Sequence, residues 1–444
     1  MTSENQLSVF GLGKLGCTML ACFAHKGWRV TGVDINPDSV SKINNGESPI
    51  YEPGVDELIK KNRAKINATT EVKQAVENSS ASFIIVPTPS TENGSFSTTA
   101  VEAVAKSIGA ALKTKNAYHL IIVTSTVLPG DTARIIQLLE ETSGKKCNSD
   151  FGVCYNPDFI ALGTVVRDFL NPDMVLIGQS DAKAGDILCK IHEQLVDNKP
   201  SINKMTLENA ELTKIALNSY CTLKITFANV IAEICEKLPN GDADAVTTAL
   251  GFDSRIGRKY LKGGLSYGGP CFPRDNKAFA WTASKLGVTN TLALKTDEIN
   301  NFHRDKRIPE ILLSLLKENN AQNIAVLGLT YKADTTLVEE SAAISVIRTL
   351  AKENIRISVY DPAGMQDGKK ALSDCKNVSF KENAKDCIKG ADLCFVASPW
   401  KEFKTLSASD FISLMSSPLI FDAWSMYDFA SEKNLDYRQI GKRN

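Results

Sequence analysis

The chain has 444 residues, which at about 150 residues per domain points to roughly three domains and excludes a single small binding module. Hydrophobic residues make up 43% and charged residues 23%, ordinary globular usage that excludes a disordered or collagen-like chain. Lysine plus arginine (51) balance aspartate plus glutamate (51), so no global field draws the chain to nucleic acid or an anionic membrane, and any anion site is local.

The eleven cysteines are odd in number and contain no C-x-x-C pair. That usage fits reduced thiols in a cytoplasmic enzyme, and for the same reason no metal such as zinc is expected. The first six residues are polar and run directly into an apolar strand, so no signal peptide is expected. No stretch approaches the roughly 18 apolar residues of a membrane span.

In chain order, residues 7–10 and 30–33 read as short apolar strands around a helix over 14–26 that stops at Gly27, a β-α-β unit. Apolar runs at 83–86, 120–123 and 174–177 alternate with helical stretches such as 99–112 and 132–141, which predicts an open parallel sheet. From 206 to 238 neither Gly nor Pro interrupts an apolar pattern of helical spacing, and one long connecting helix is expected. Strand signals return at 323–328, 356–360, 392–397 and 419–421, predicting a second α/β domain.

Gly11, Gly13 and Gly16, with Leu12 and Leu15 between them, form G-x-G-x-x-G between the first strand and first helix. The first glycine permits the tight turn, the second lets a pyrophosphate approach the backbone, and the third allows close helix-strand packing, with the helix N-terminus toward the phosphates. Asp34 closes the second strand, where a carboxylate accepts the ribose hydroxyls of NAD and repels the extra phosphate of NADP.

The stretch Gly263 to Asp275, GGLSYGGPCFPRD, places four glycines ahead of one cysteine. Pro273 suits the first turn of a helix, so Cys271 is expected at that helix N-terminus, where the dipole favours thiolate and makes a nucleophile. Asp275, four residues on, shares its helical face and is placed to accept or relay a proton. Cys17, Cys22 and Cys394 read instead as buried small apolar groups. On the long helix Lys214 and Asn218 also lie four apart: either they hold an oxyanion or a water, or they form a solvated face, and spacing alone leaves both open.

These residues fall into a longer ordered pattern: GLGKLG with Asp34, INNGESPIYEPG, VPTPS, TSTVLPG, NPDF, AELTKIALNSY, GGPCFPRD, GLTYKADT and VYDP. Over nearly its whole length the chain resembles the UDP-glucose/GDP-mannose dehydrogenase family. The resemblance implies two Rossmann-like doubly wound parallel-sheet domains joined by a central helical region. It assigns residues 1–200 to NAD binding, 201–305 to dimerisation and catalysis, and 306–444 to the nucleotide of the substrate, in a cytoplasmic homodimer.

The implied chemistry is a four-electron oxidation of the C6 hydroxyl of a nucleotide-linked hexose, UDP-glucose first, to the uronate with two NAD. By motif, Cys271 becomes the nucleophile that forms a thiohemiacetal and then a thioester, Lys214 and Asn218 stabilise the oxyanion and position water, and Asp275 is the general base. Thr126 orients the same water and, with Thr88, borders the cofactor. Asp158 stands where the family has a Glu that assists thioester hydrolysis. Arg255 matches an arginine donated across the dimer, Lys332 beside Tyr331 contacts the nucleotide end, and Tyr267, Gly268 and Phe272 flank the thiol at the substrate.

Several positions depart from the family pattern. Leu162 replaces a second Glu, Glu339 replaces an Arg after the Lys-x-Asp-Thr turn, and Asp422-Ala423-Trp424 stands for Asp-Gly-Arg. These bear on which sugar and nucleotide are taken. A 2-acetamido UDP-hexose, GDP-mannose or TDP-glucose is the nearest alternative substrate. A 3-hydroxyacid dehydrogenase would lack the GGPCFPRD stretch and the third domain, and a non-catalytic NAD or nucleotide-sugar sensor would lack the thiol or the lysine.

Overall fold

A computed structural model describes residues 5–160, 163–289 and 291–443. The chain divides into two units, Met1–Ala216 and Leu217–Asn444, each with its own sheet. In the first, strands β1 (Gln6–Phe10), β2 (Arg29–Val33), β3 (Ile66–Thr69), β4 (Ala81–Ile84), β5 (His119–Val123), β6 (Phe151–Tyr155), β7 (Met174–Gln179) and β8 (Ser201–Met205) lie in the order β3-β2-β1-β4-β5-β6-β7-β8.

The strands from β3 to β6 are parallel, and the chain reverses at β7, which pairs antiparallel with β6 before running parallel to β8. The expected parallel sheet thus gains a reversed pair at one edge. Among the described residues between β6 and β7 there is one helix, the six-residue Val165–Leu170, shorter than the crossover that returns a chain to the starting edge of a parallel sheet.

Alternation along each strand sends side chains to two apolar layers. Leu7 and Val9 of β1 and Leu120 and Ile122 of β5 join one layer; Phe10, Ile121 and Val123 join the other. Helices cover both faces, so these strands read as continuous apolar runs. The expected strands 7–10, 30–33, 83–86, 120–123 and 174–177 correspond to β1, β2, β4, β5 and β7, with β4 displaced two residues toward the N-terminus.

In the second unit β9 (Asn323–Leu327), β10 (Arg356–Tyr360), β11 (Val378–Phe380), β12 (Leu393–Val396), β13 (Leu419–Asp422) and β14 (Asp436–Gln439) form an all-parallel sheet in the order β11-β10-β9-β12-β13-β14. That order repeats the first six strands of the other sheet. Each sheet therefore has a switch point, at β1/β4 and at β9/β12, where ligand crevices form beyond the carboxyl ends of the strands.

The helix Leu207–Lys237 has 31 residues, close to the expected 206–238. Ala228, Ala232 and Cys235 are buried while Tyr220, Phe227 and Ile234, seven residues apart, stand 47–57% exposed. Because both faces are apolar, the helix is long and apolar enough to cross a membrane by length and composition. This corrects the expectation that no stretch reaches that threshold; a core helix passes the same test.

A buried histidine supports the segment that leads to the site. His192, on the helix Ala182–Leu195, meets Asn156 Oδ1 with Nε2 at 2.8 Å, and Asn156 donates to the Leu176 carbonyl at 2.8 Å. Burial pulls the imidazole from 6.5 down to about 4. The folded state thus favours the neutral ring, and its stabilisation is present above about pH 6.5 and lost as pH falls toward 4. The shift corresponds to about 3 kcal/mol. Chemical denaturation of wild type and His192→Gln at stepped pH is expected to show their stability difference shrinking by an amount of this order between pH 6.5 and 4; a pH-independent difference would contradict it.

Candidate active site

The turn after β1 is built for close approach. Gly11 has φ +100°, a left-handed conformation that glycine adopts without strain, and a side chain at Gly16 would run into the Gly11 carbonyl. Beside them Gly13 begins the helix Lys14–His25, and a Cβ there would meet nothing within 4 Å. Open backbone at a helix N-terminus suits a pyrophosphate. Asp34, just past β2, accepts from Leu12 N at 2.6 Å and Asn36 N at 2.8 Å, which orients the carboxylate for a ribose. The residues present therefore fit NAD.

Beyond β5, Ser125 Oγ accepts from Val86 N at 2.8 Å, and Thr88 Oγ1 donates to the Thr126 carbonyl at 2.8 Å. These bonds fix the half-buried Thr126 turn against the segment after β4. Lys214 is half-buried, donates to the Asp158 carbonyl at 2.6 Å and lies 4.7 Å from the centre of the Phe159 ring. The Asp158 carboxyl is enclosed; burial raises it to about 7 while Lys214 opposes the shift. It borders a cavity of about 30 Å³ with Phe159, Phe169 and His192, and its Oδ2 has no hydrogen-bond partner among the described residues. Leu162 lies outside them.

In the second unit Cys271 is the N-cap of the helix Phe272–Lys285, with Pro273 in its first turn, as the spacing predicts. It is exposed, whereas every other cysteine is buried or half-buried. Burial pushes Cys17 and Cys22 up to about 12 and Cys394 well above its ordinary value, keeping them as inert thiols. Asp275 is 1% exposed; its Oδ2 accepts from Asn218 Nδ2 at 2.6 Å and its Oδ1 from Arg274 Nε at 3.2 Å. Asn218 therefore joins the long helix to the first turn of the cysteine helix.

The glycines before the thiol have a steric reason. A side chain at Gly268 would strike the Glu340 carbonyl, and one at Gly269, where φ is +79°, would strike the Tyr331 ring. Gly269 N donates to the Glu339 carbonyl at 3.2 Å. Burial raises the Tyr331 phenol to about 12, helped by the nearby Cys271 and Glu339. Lys332 Nζ lies 5.8 Å from the same ring centre.

The Tyr267 hydroxyl is held within the protein. The residue is 5% exposed, its hydroxyl donates to Asp297, and it accepts from Asn276 Nδ2 at 3.0 Å; what it presents to Phe272 is a ring edge, 6.1 Å between centres. Asn276, Asp297 and Thr222, which accompany it, carry no motif signal, because their partners lie 9–54 residues away. Arg255 is exposed and paired with Asp253 at 2.6 Å. Trp424 is half-buried, donates from Nε1 to the Ala397 carbonyl at 3.0 Å and packs on Gly264.

Three adjoining stretches match the NAD binding, central and UDP binding domains of one family, at residues 5–196, 208–302 and 325–429. The chain belongs to the UDP-glucose/GDP-mannose dehydrogenase family. A UDP-glucose 6-dehydrogenase of Haloferax volcanii is 34% identical over 98% of this chain and 100% of its own. A GDP-mannose 6-dehydrogenase of Pseudomonas aeruginosa is 34% identical over 93% of this chain and 89% of its own. Among solved structures, a UDP-glucose dehydrogenase from Pyrobaculum islandicum superposes with a TM-score of 0.85 at 30% identity, covering 99% of this chain and 98% of that one. The protein is an NAD-dependent nucleotide-sugar 6-dehydrogenase.

A carboxylate at the end of the second strand of such a sheet repels the 2′-phosphate of NADP, so with Asp34 at that position NAD is expected to be preferred by at least tenfold in kcat/KM. Asp34→Asn is expected to narrow the gap mainly by weakening NAD. Equal kcat/KM for the two cofactors in the wild type would contradict this placement.

Proposed function

We propose that the enzyme oxidises UDP-glucose to UDP-glucuronate through covalent capture on Cys271. The observation that carries this reading is the exposed thiol at a helix N-terminus, set in a chain whose other cysteines are buried or half-buried. NAD supplies the hydride acceptor when bound. Lys214 and Asn218, one turn apart on one helix, stabilise the C6 oxygen as it gains charge, and Asp275 takes the proton that leaves.

Cys271 adds to the aldehyde as a thiohemiacetal, which gives up its second hydride to become a thioester; water then releases the acid and restores the thiol. Asp158, near neutrality, assists that hydrolysis, and Thr126 orients the water. Gly11, Leu12, Gly13, Leu15, Gly16, Asp34 and Thr88 hold the cofactor. Gly268, Phe272 and the ring of Tyr267 border the sugar, and Tyr331 and Lys332 meet the nucleotide end.

Residues 1–200, 201–305 and 306–444 are the proposed cofactor, central and nucleotide domains of a cytoplasmic homodimer. The exposed stripe of Tyr220, Phe227 and Ile234 supports pairing through the long helix, and the outward position of Arg255 supports its donation to the partner's substrate.

Glu339 is the position most able to alter substrate choice, because it puts a carboxylate beside Tyr331 where the family pattern has a cation. An arginine there adds a charge-assisted hydrogen bond of roughly 1.5–3 kcal/mol. NADH formation is to be measured across UDP-, GDP- and TDP-hexoses and 2-acetamido UDP-sugars with wild type and Glu339→Arg. UDP-glucose is expected to give the highest kcat/KM, raised roughly tenfold or more by the substitution. Preference for another nucleotide sugar would replace UDP-glucose in the reading.

A further inference from the structure

We propose that Glu211 is a positioning residue for the oxidation, its carboxylate pinning the turn that carries Thr126 to the helix that carries Lys214. The inference rests on the roles proposed above for those two residues. Glu211 is fully buried. Its Oε2 accepts from Gly130 N at 2.7 Å and its Oε1 from Thr132 N at 2.8 Å. The donors are the N-cap and the second residue of the helix Asp131–Ser143, which begins five residues after Thr126. Lys214 is three residues after Glu211, one turn along the same helix.

Capping alone does not explain this arrangement. A helix start is ordinarily satisfied by a Ser, Thr, Asp or Asn at the cap itself, but here the cap is Gly130 with φ +96° and no side chain. Asp131 does not take over: it turns back to Leu128 N at 2.8 Å and pairs with Arg134 at 3.3 Å. The orphan amides are met instead by a carboxylate from 79–81 residues along the chain. Among the described residues no cation pairs with it, and burial raises it to about 7 against the pull of its hydrogen bonds.

A fully buried carboxyl taken from a distant helix is an expensive way to stabilise a helix end. What it adds is geometric. The Thr126 turn is held on one side by Thr88 and by the Ser125 hydroxyl, and on the other by Glu211, which fixes its distance from Lys214. Catalytic groups need placement to within about 0.5 Å, and a 1 Å error costs on the order of 100-fold in rate.

The test uses the full-length enzyme with NAD and the best substrate of the panel. Glu211→Gln keeps the shape but turns one acceptor into an amide facing an N–H. The expected result is a kcat lowered roughly 10- to 100-fold with KM for NAD within about twofold of wild type, and faster hydrogen exchange at the Gly130 and Thr132 amides. Glu211→Asp, which keeps the charge on a shorter arm, is expected to fall between the two and serves alone if the Gln variant does not fold. In the double variant Glu211→Gln/Thr126→Val the losses are expected not to multiply, since both act through one turn.

A merely structural cap would lower Tm while leaving kcat of the folded enzyme within twofold of wild type, or would give multiplying losses; either result overturns the proposal. If Thr126→Val alone leaves kcat intact, the role of Thr126 falls, and the inference about Glu211 is then decided by the kcat of Glu211→Gln alone.

Discussion

The hydrogen bond from Asn218 to Asp275 is the contact on which the nucleophile's setting depends. Asp275 is a buried carboxylate, and buried charge is tolerated only when its oxygens are well satisfied. Asn218 takes one oxygen and Arg274 the other, while the Asp275 amide donates to the Cys271 carbonyl at 2.8 Å. The start of the cysteine helix is thereby fixed to the long helix, and the thiol is left at the exposed end. Removing Asn218 would leave the buried acid to Arg274 alone, one helical turn from the thiol. The adjoining Asn276, Tyr267 and Asp297 network and the packing of Gly268 and Gly269 on the 331–340 turn hold the other side of the same loop.

The two sheets share a strand order but not a chemistry. Asp34 ends the second strand of one and Asp361 that of the other, and each receives the amide two residues past its partner strand, from Leu12 and from Leu329 at 2.7 Å. There the likeness stops. Asp361 is 1% exposed and also accepts from Thr330 N and Oγ1, both at 3.0 Å, and from Trp400 Nε1 at 3.2 Å. Thr330 stands where the first sheet has Gly13, so the second crevice is closed to a ribose at this carboxylate. A duplicated architecture thus divides its work: one domain matches an NAD binding domain and the other a UDP binding domain.

Much of this was legible in the sequence because local patterns encode it. The glycine loop, Asp34, the long helix and the position of Cys271 before Pro273 each follow from a few neighbouring residues. Edge strands were not legible: β8, Ser-Ile-Asn-Lys-Met, is mostly exposed, and β11 has three residues, so neither carries an apolar run. Interior β6 was missed too, its five buried residues interrupted by Gly152 and ending in Tyr155. Glu211, Asp297 and Asp361 take their meaning from partners 21 to 81 residues away, which no spacing rule anticipates. The bond from the Tyr267 hydroxyl to Asp297 is of the same kind, since it joins residues 30 apart in the chain.

Covalent capture on Cys271 is most directly tested by following free aldehyde and uronate in a single reaction mixture, with wild type and Cys271→Ser side by side. A thiohemiacetal held on the enzyme requires that no free aldehyde leave the wild type while acid forms, and that Cys271→Ser bind NAD but not turn over to the acid, because serine offers no comparable anion at neutral pH. Aldehyde accumulating in solution with the wild type, or steady uronate formation by Cys271→Ser, would contradict the thioester route.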